Sequence, residues 1–180
     1  MTNLAKLYKT EVVKKMVDEF KLKNRLSAPK IEKVVINCGL GEATSNPKLI
    51  DEVAEQIGKI SGQKPIPTVS KRSISAFKLR KGQKIGLKVT LRGGRAFSFL
   101  EKLFKVALPR LRDFRGLPLS NFDQAGNYTL GLKELNIFPE TATIPQDKIG
   151  GLEITIVTNS QDFQKSKRLL ELLGMPFQKN

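Results

Sequence analysis

The side chains best equipped for chemistry in this sequence are cations. Residues 70–86 read SKRSISAFKLRKGQKIG, in which Lys71, Arg72, Lys78, Arg80, Lys81 and Lys84 are interleaved with Ile74, Phe77, Leu79 and Ile85, and no acid intervenes. Ammonium and guanidinium groups neutralise phosphate, and an aromatic ring set among them offers a face on which an unpaired base stacks. The bland reading of such a stretch is a solvated loop. Against it stands the length of the acid-free run: there is no Asp or Glu between Glu55 and Glu101, and that interval holds eleven Lys and Arg of a chain whose net charge is +15. Residues 116–180 carry six bases and seven acids and are nearly neutral. Charge concentrated in one segment reads as a binding footprint for a polyanion, where evenly spread charge would serve solubility.

Catalytic chemistry has little to work with. Histidine is absent and Cys38 is the single cysteine, which removes the commonest general base, the commonest metal ligand, any internal disulfide and a structural zinc site. Glu134 and Glu140 stand six apart around Pro139 with no nucleophile or base beside them. The strand-like INCGLGEAT holds Gly39 and Gly41, but Thr44 stands where a dinucleotide fingerprint has its third glycine. A nucleotide-binding enzyme built on the Gly39–Gly41 turn is the rival reading, and the turn alone is the simpler one. No enzyme activity, metal or cofactor is expected. No apolar run is long enough to span a bilayer, no apolar signal region opens the chain, and a reducing cytosol is the expected compartment. A peripheral membrane protein would need its cations along an amphipathic helix; here they lie on a loop and strands.

The elements that must position these residues follow from periodicity. Residues 3–22 repeat apolar groups at helical spacing until the Asn24–Pro29 break. KIEKVVINC, 30–38, is a strand: Val34, Ile36 and Cys38 share one face with Glu32 at the entry, and Ile31, Lys33, Val35 and Asn37 share the other, which mixes polar and apolar groups. Asn46 and Pro47 open a helix that Gly62 stops. The two prolines of QKPIPTVS, 63–70, allow only an edge strand or an extended segment. KIGLKVTLR, 84–92, alternates, with Lys88, Thr90 and Arg92 opposite Leu87, Val89 and Leu91. RGGR, 92–95, is a tight turn into a helix running to about Leu111 and also suits a phosphate at the helix start; Pro109 kinks or tightens the last turn. NYTLGLK (127–133) and LEITIVT (152–158) are strands, 139–150 is a long loop, and 161–173 is a final helix closed by Gly174. The fold class expected is α+β: a mostly antiparallel sheet with helices packed on one face, an open face, and a basic hairpin arm for RNA. The chain reads as a single domain, 1–180. Six or seven residues a side would carry the arm about 20 Å from the body. Lys33 and Asn37 on one strand, with Lys88, Thr90 and Arg92 on another, form a polar platform of the kind that bonds phosphates, 2′-hydroxyls and base edges.

IEKVVINCGLGEA, SGQKP, KRSISAFKLRKGQKIG, VTLRG, RDFRGL, GNYTLGLKE, IFPE and GLEITIVT occur in this order over nearly the whole chain. Together they resemble the family of bacterial large-subunit ribosomal protein five, the 5S-rRNA-binding family. The resemblance implies a structural role in the large subunit, in the central protuberance, with 5S rRNA bound by Lys33, Asn37, Gln63, Phe77 and Thr90, to which the polar platform adds Lys88 and Arg92. It implies that the hairpin at about Arg72–Lys84 meets P-site tRNA through Arg72, Ser73, Lys78, Arg80, Lys81 and Lys84. It further implies a bridge to the small subunit and its ribosomal protein thirteen through Arg110, Arg112, Arg115, Glu134 and Glu140. Large-subunit rRNA and other large-subunit proteins are the remaining partners implied, in the cytoplasmic ribosome, with no membrane and no homo-oligomer. Gln124-Ala125 replaces the family's usual Gly-Arg, and the run TATIPQDKI after IFPE departs from its usual continuation.

Overall fold

The structure, a computed structural model, describes residues 2–44, 46–111, 114–133, 136–141 and 151–178. It is an α+β fold with one mostly antiparallel five-stranded sheet. The strands are β1 (Ile31–Gly39), β2 (Ile66–Val69), β3 (Lys84–Leu91), β4 (Tyr128–Leu132) and β5 (Leu152–Thr158), in the spatial order β2-β3-β1-β5-β4. The helices are α1 (Asn3–Leu7), α2 (Val13–Phe20), α3 (Lys48–Ser61), α4 (Gly93–Lys102) and α5 (Phe163–Leu172). Contacts gather in two compact units, residues 1–34, 92–130 and 155–180 in one and 35–91 with 131–154 in the other, and the divisions fall inside β1, β4 and β5.

In the first unit α1 and α2 are joined through a turn widened to the π pattern at Tyr8–Val12. Leu4, Val12 and Met16 are buried. The Tyr8 hydroxyl donates to the Pro29 carbonyl at 2.9 Å, and its ring lies 5.7 Å from that of Phe97. The long first helix ends at Phe20, two residues before the sequence pattern does, because Lys21 turns left-handed (φ 48°). α4 starts at Gly93, whose φ of 54° makes the tight turn after extended Arg92. Its continuation passes through a π turn at Leu103–Ala107, and Pro109 sits in a tightened 3-10 turn at Leu108–Arg110, as its ring requires. Asp162 caps α5, accepting from the backbone N–H of Gln164 and Lys165 at 2.8 and 3.4 Å. Arg168 then forks onto Glu19 of α2 with two bonds of 2.7 and 2.6 Å. That fork holds the Glu19 carboxyl below its ordinary range.

In the second unit α3 buries Leu49, Ile50, Val53, Ile57 and Ile60 and packs against β3. It begins at Lys48, one residue later than the Asn46-Pro47 signal implies, and ends at Gly62 in the left-handed region (φ 68°). β2 is an edge strand, as Pro65 and Pro67 require, antiparallel to β3 in the register Ile66↔Lys88 and Thr68↔Gly86. At Gly86 a Cβ would stand 2.6 Å from the Cys38 carbonyl oxygen and 2.9 Å from the Thr68 hydroxyl, so the strand admits no side chain there.

Candidate nucleic-acid interface

Residues 70–83 join β2 to β3 as an arm whose pairing is interrupted. At its base the Ser70 N–H donates to Gln83 and the Gly82 N–H to Ser70, each at 2.9 Å. Ile74 and Leu79 pair again further out. Between them Ser75–Phe77 makes a 3-10 turn, and Lys78 turns left-handed (φ 50°). The gap in the ladder is bridged by side chains: Ser73 Oγ accepts from the Lys81 N–H at 3.0 Å, and Gln83 Oε1 from the Arg80 N–H at 3.1 Å. The arm is therefore a hairpin closed at two points rather than a continuous ladder of six or seven residues a side.

Lys71, Arg72, Lys78, Arg80, Lys81 and Lys84 are all exposed. Among the described residues none of them meets a carboxylate, the physical consequence of an acid-free segment. Phe77 is 72% exposed and Ile74 43%. The structure thus sets Phe77 among the residues the family resemblance gives to tRNA, on the arm, while the other residues given to 5S rRNA lie on or beside the sheet.

The sheet's two faces are chemically distinct. Val34, Ile36 and Cys38 of β1, Leu87, Val89 and Leu91 of β3, and Leu152, Ile154 and Ile156 of β5 are buried. On the opposite face of β1 Lys33 is half-buried and Asn37 exposed; on β3 Lys84 and Lys88 are exposed and Thr90 half-buried. Gln63 reaches this region from the segment after α3, its Nε2 donating to the Thr90 carbonyl at 3.3 Å. Arg92, exposed, follows β3 directly. One acid stands here that the sequence reading did not single out: Glu153 of β5, whose Oε2 accepts from Asn37 Nδ2 at 3.4 Å. The alternation of LEITIVT already placed Glu153 opposite Leu152 and Ile154, so the signal was present.

Of the residues the resemblance assigns to a bridge, Arg110 and Arg115 are exposed and Glu140 is half-buried in a 3-10 turn, Pro139–Thr141. Arg112, Glu134 and most of the TATIPQDKI run lie outside the described residues. Gly39 ends β1 and, one residue on, Gly41 opens a 3-10 stretch, Gly41–Thr44. The strand after α3 is β2, which pairs with β3 and not with β1, so the adjacent βαβ crossover a dinucleotide site uses is missing. Burial pushes the Cys38 thiol up to about 11, leaving it neutral and unreactive. No described helix is long and apolar enough to cross a membrane.

Two family models match the chain: ribosomal protein L5 over residues 24–80, and the C-terminus of the same ribosomal family over residues 84–177. The chain belongs to the ribosomal protein L5 family. Curated relatives called large ribosomal subunit protein uL5 match end to end. That of Thermoanaerobacter sp. is 51% identical over 99% of this chain and all of its own length, and that of Ruminiclostridium cellulolyticum 48% identical over the whole of both. That of Acholeplasma laidlawii is 52% identical over 96% of each. As an L5-family member the chain is a ribosomal protein, a structural component of the translation machinery. The acid-free segment falls across the junction of the two matched regions.

Proposed function

We propose that this L5-family chain acts as one domain in the large subunit of the cytoplasmic ribosome and binds 5S rRNA. Lys33, Asn37, Gln63, Lys88, Thr90 and Arg92 on and beside the open sheet face make that contact together with Phe77. Lysine and arginine hold phosphates, while asparagine and threonine bond to 2′-hydroxyls or base edges. The arm carries a second role, touching P-site tRNA through Arg72, Ser73, Lys78, Arg80, Lys81 and Lys84. Arg110, Arg112, Arg115, Glu134 and Glu140 face the small subunit and its ribosomal protein thirteen. Large-subunit rRNA and neighbouring large-subunit proteins complete the set of partners; the chain forms no homo-oligomer and catalyses nothing.

The observation that carries this reading is the run of unpaired, exposed cations from Lys71 to Lys88 beside a polar sheet face. The test is binding to 5S rRNA and to an unrelated RNA of the same length, each titrated with salt. About six neutralised phosphates give a log-affinity against log-salt slope near −4 to −5. A preference for 5S rRNA that survives high salt is expected. Equal affinities falling together would reduce the surface to a phosphate-seeking patch and end the 5S assignment.

A further inference from the structure

The arm has a counterpart in the first unit that neither the motifs nor the family resemblance singles out. Residues 21–30 read KLKNRLSAPK, and no acid stands between Glu19 and Glu32. Lys21, Lys23, Arg25 and Lys30 are exposed, and among the described residues none makes an ion pair. Leu26, at the centre, is 88% exposed, the highest value among the large hydrophobic side chains so exposed; Phe77 of the arm follows at 72%. The two knobs also share a backbone design. Among the described residues other than glycine, the left-handed ones are Lys21, Lys78 and Gln161, and the two lysines belong one to each knob. Each knob has a 3-10 turn, Arg25–Ser27 here and Ser75–Phe77 on the arm.

The turn is built to hold its shape. Asn24 Oδ1 accepts from the Leu26 N–H at 3.0 Å, the Ser27 hydroxyl donates to the Asn24 carbonyl at 2.5 Å, and the Ser27 and Ala28 N–H groups close onto Asn24 and Arg25. A single exposed leucine needs no explanation. An exposed leucine in a hydrogen-bonded turn, flanked in sequence by four exposed cations that make no ion pair among the described residues, has the make-up of a contact for a polyanion that also presents apolar surface. RNA is such a partner: its phosphates suit the cations, and an exposed ribose or base face suits Leu26.

We propose that Lys21, Lys23, Arg25 and Leu26, residues that belong to neither the arm nor the sheet face, form a second RNA-binding knob. This goes beyond the 5S contact proposed above, because none of these four residues belongs to it.

The experiment uses the full chain and poly-uridylate of uniform length as probe, with affinity followed against salt. The knob variant carries Lys21→Gln, Lys23→Gln and Arg25→Gln; an arm variant carries Lys78→Gln, Arg80→Gln and Lys81→Gln. A control carries Lys6→Gln, Lys9→Gln and Lys14→Gln, with the same loss of charge from exposed positions of the first helix. Each phosphate contact on a single strand contributes about 0.7 to the slope, so the knob variant flattens it by about 2, additively with the arm variant, and the control leaves it unchanged. Leu26→Ser weakens binding several-fold at an unchanged slope. All variants are confirmed folded by their melting curves. An unchanged slope in the knob variant overturns the proposal and turns that surface towards a protein. An equal flattening in the control also overturns it, by making the effect one of net charge alone. An unchanged slope in the arm variant, by contrast, counts against the RNA-binding role of the arm and leaves the knob standing.

Discussion

Ile74 and Leu79 exchange two backbone hydrogen bonds, Ile74 N–H to the Leu79 carbonyl at 2.9 Å and Leu79 N–H to the Ile74 carbonyl at 3.0 Å. This pair closes the tip of the arm and fixes where Phe77 and Lys78 point. Ile74 has φ −133°, a value proline cannot take, and its N–H is one of the two donors. Ile74→Pro is therefore expected to open the tip while leaving the body intact, because Ile74 lies outside the core. Trypsin cleavage after Arg72, Lys78, Arg80 and Lys81 is the measurement. Cleavage there accelerates in the variant while the melting temperature stays close to that of the parent chain. A large fall in melting temperature would mean that the tip is part of the global fold.

Phe77 and Lys81 stand on the same arm but offer a ligand different physics. Phe77 has no charge and 72% of its surface free, and a ring so exposed stacks on a base for about 1–3 kcal/mol. Phe77→Ala is expected to weaken 5S rRNA binding about tenfold or more with no change in salt slope. Lys81→Ala is expected to leave 5S binding nearly intact and to reduce contact with tRNA. Parallel titrations with the two RNAs decide it, and an equal effect of both substitutions on 5S rRNA would remove the division between sheet face and arm.

Much of this was legible locally. Pro65 and Pro67 force β2 to an edge, Gly62 ends α3 and Pro109 tightens a turn, each because one residue limits its own backbone. The alternation in β3 and β5 separated buried from open positions because a strand has period two. What escaped depends on distant partners. The π turn at Tyr8–Val12 is accompanied by contacts from Tyr8 to Pro29 and Phe97, which no helical period encodes. The interrupted arm depends on Ser73 and Gln83 bonding to backbone eight and three residues away. Asn37 reads as a free platform residue until Glu153, 116 positions on, is found beside it.

Burial opposes the ionisation of one thiol and two phenols in this fold. It pushes the Cys38 thiol from 9.0 up to about 11. It pushes the Tyr128 hydroxyl from 10.0 up to about 12, against a smaller opposing hydrogen bond from Asn121, and it raises Tyr8 as well. These groups are neutral when protonated, and the folded state keeps protons that the unfolded chain releases. Their contribution is whole below about pH 9 and is lost as pH rises towards 12. The midpoint of urea unfolding should hold level from neutral pH to about 9 and fall above it. In the same range Cys38 should alkylate only as fast as the chain unfolds. Fast alkylation of the native protein at pH 8 would show the thiol to be accessible.

Gly86 and Gly58 make opposite predictions from the same substitution. Gly86 lies in β3, where a Cβ would stand 2.6 Å from the Cys38 carbonyl oxygen, a backbone atom that cannot swing aside. Gly86→Ala must spread the strands, and an overpacking cost of about 1–3 kcal/mol follows. Gly58 lies in α3 with nothing within 4 Å of the added carbon, and its φ is not in the left-handed region. Gly58→Ala restricts the unfolded chain and favours the helix, a gain of about 0.5–1 kcal/mol. Urea denaturation of the two variants should move the midpoint in opposite directions. Because Gly86 sits between Lys84 and Lys88 on the open face, Gly86→Ala should also weaken 5S rRNA binding under conditions where the protein remains folded. Gly58→Ala, on the helix, should leave that binding unchanged. Loss of stability at Gly86 with full retention of 5S affinity would separate the spacing of these strands from RNA recognition and move the contact off the open face of β3.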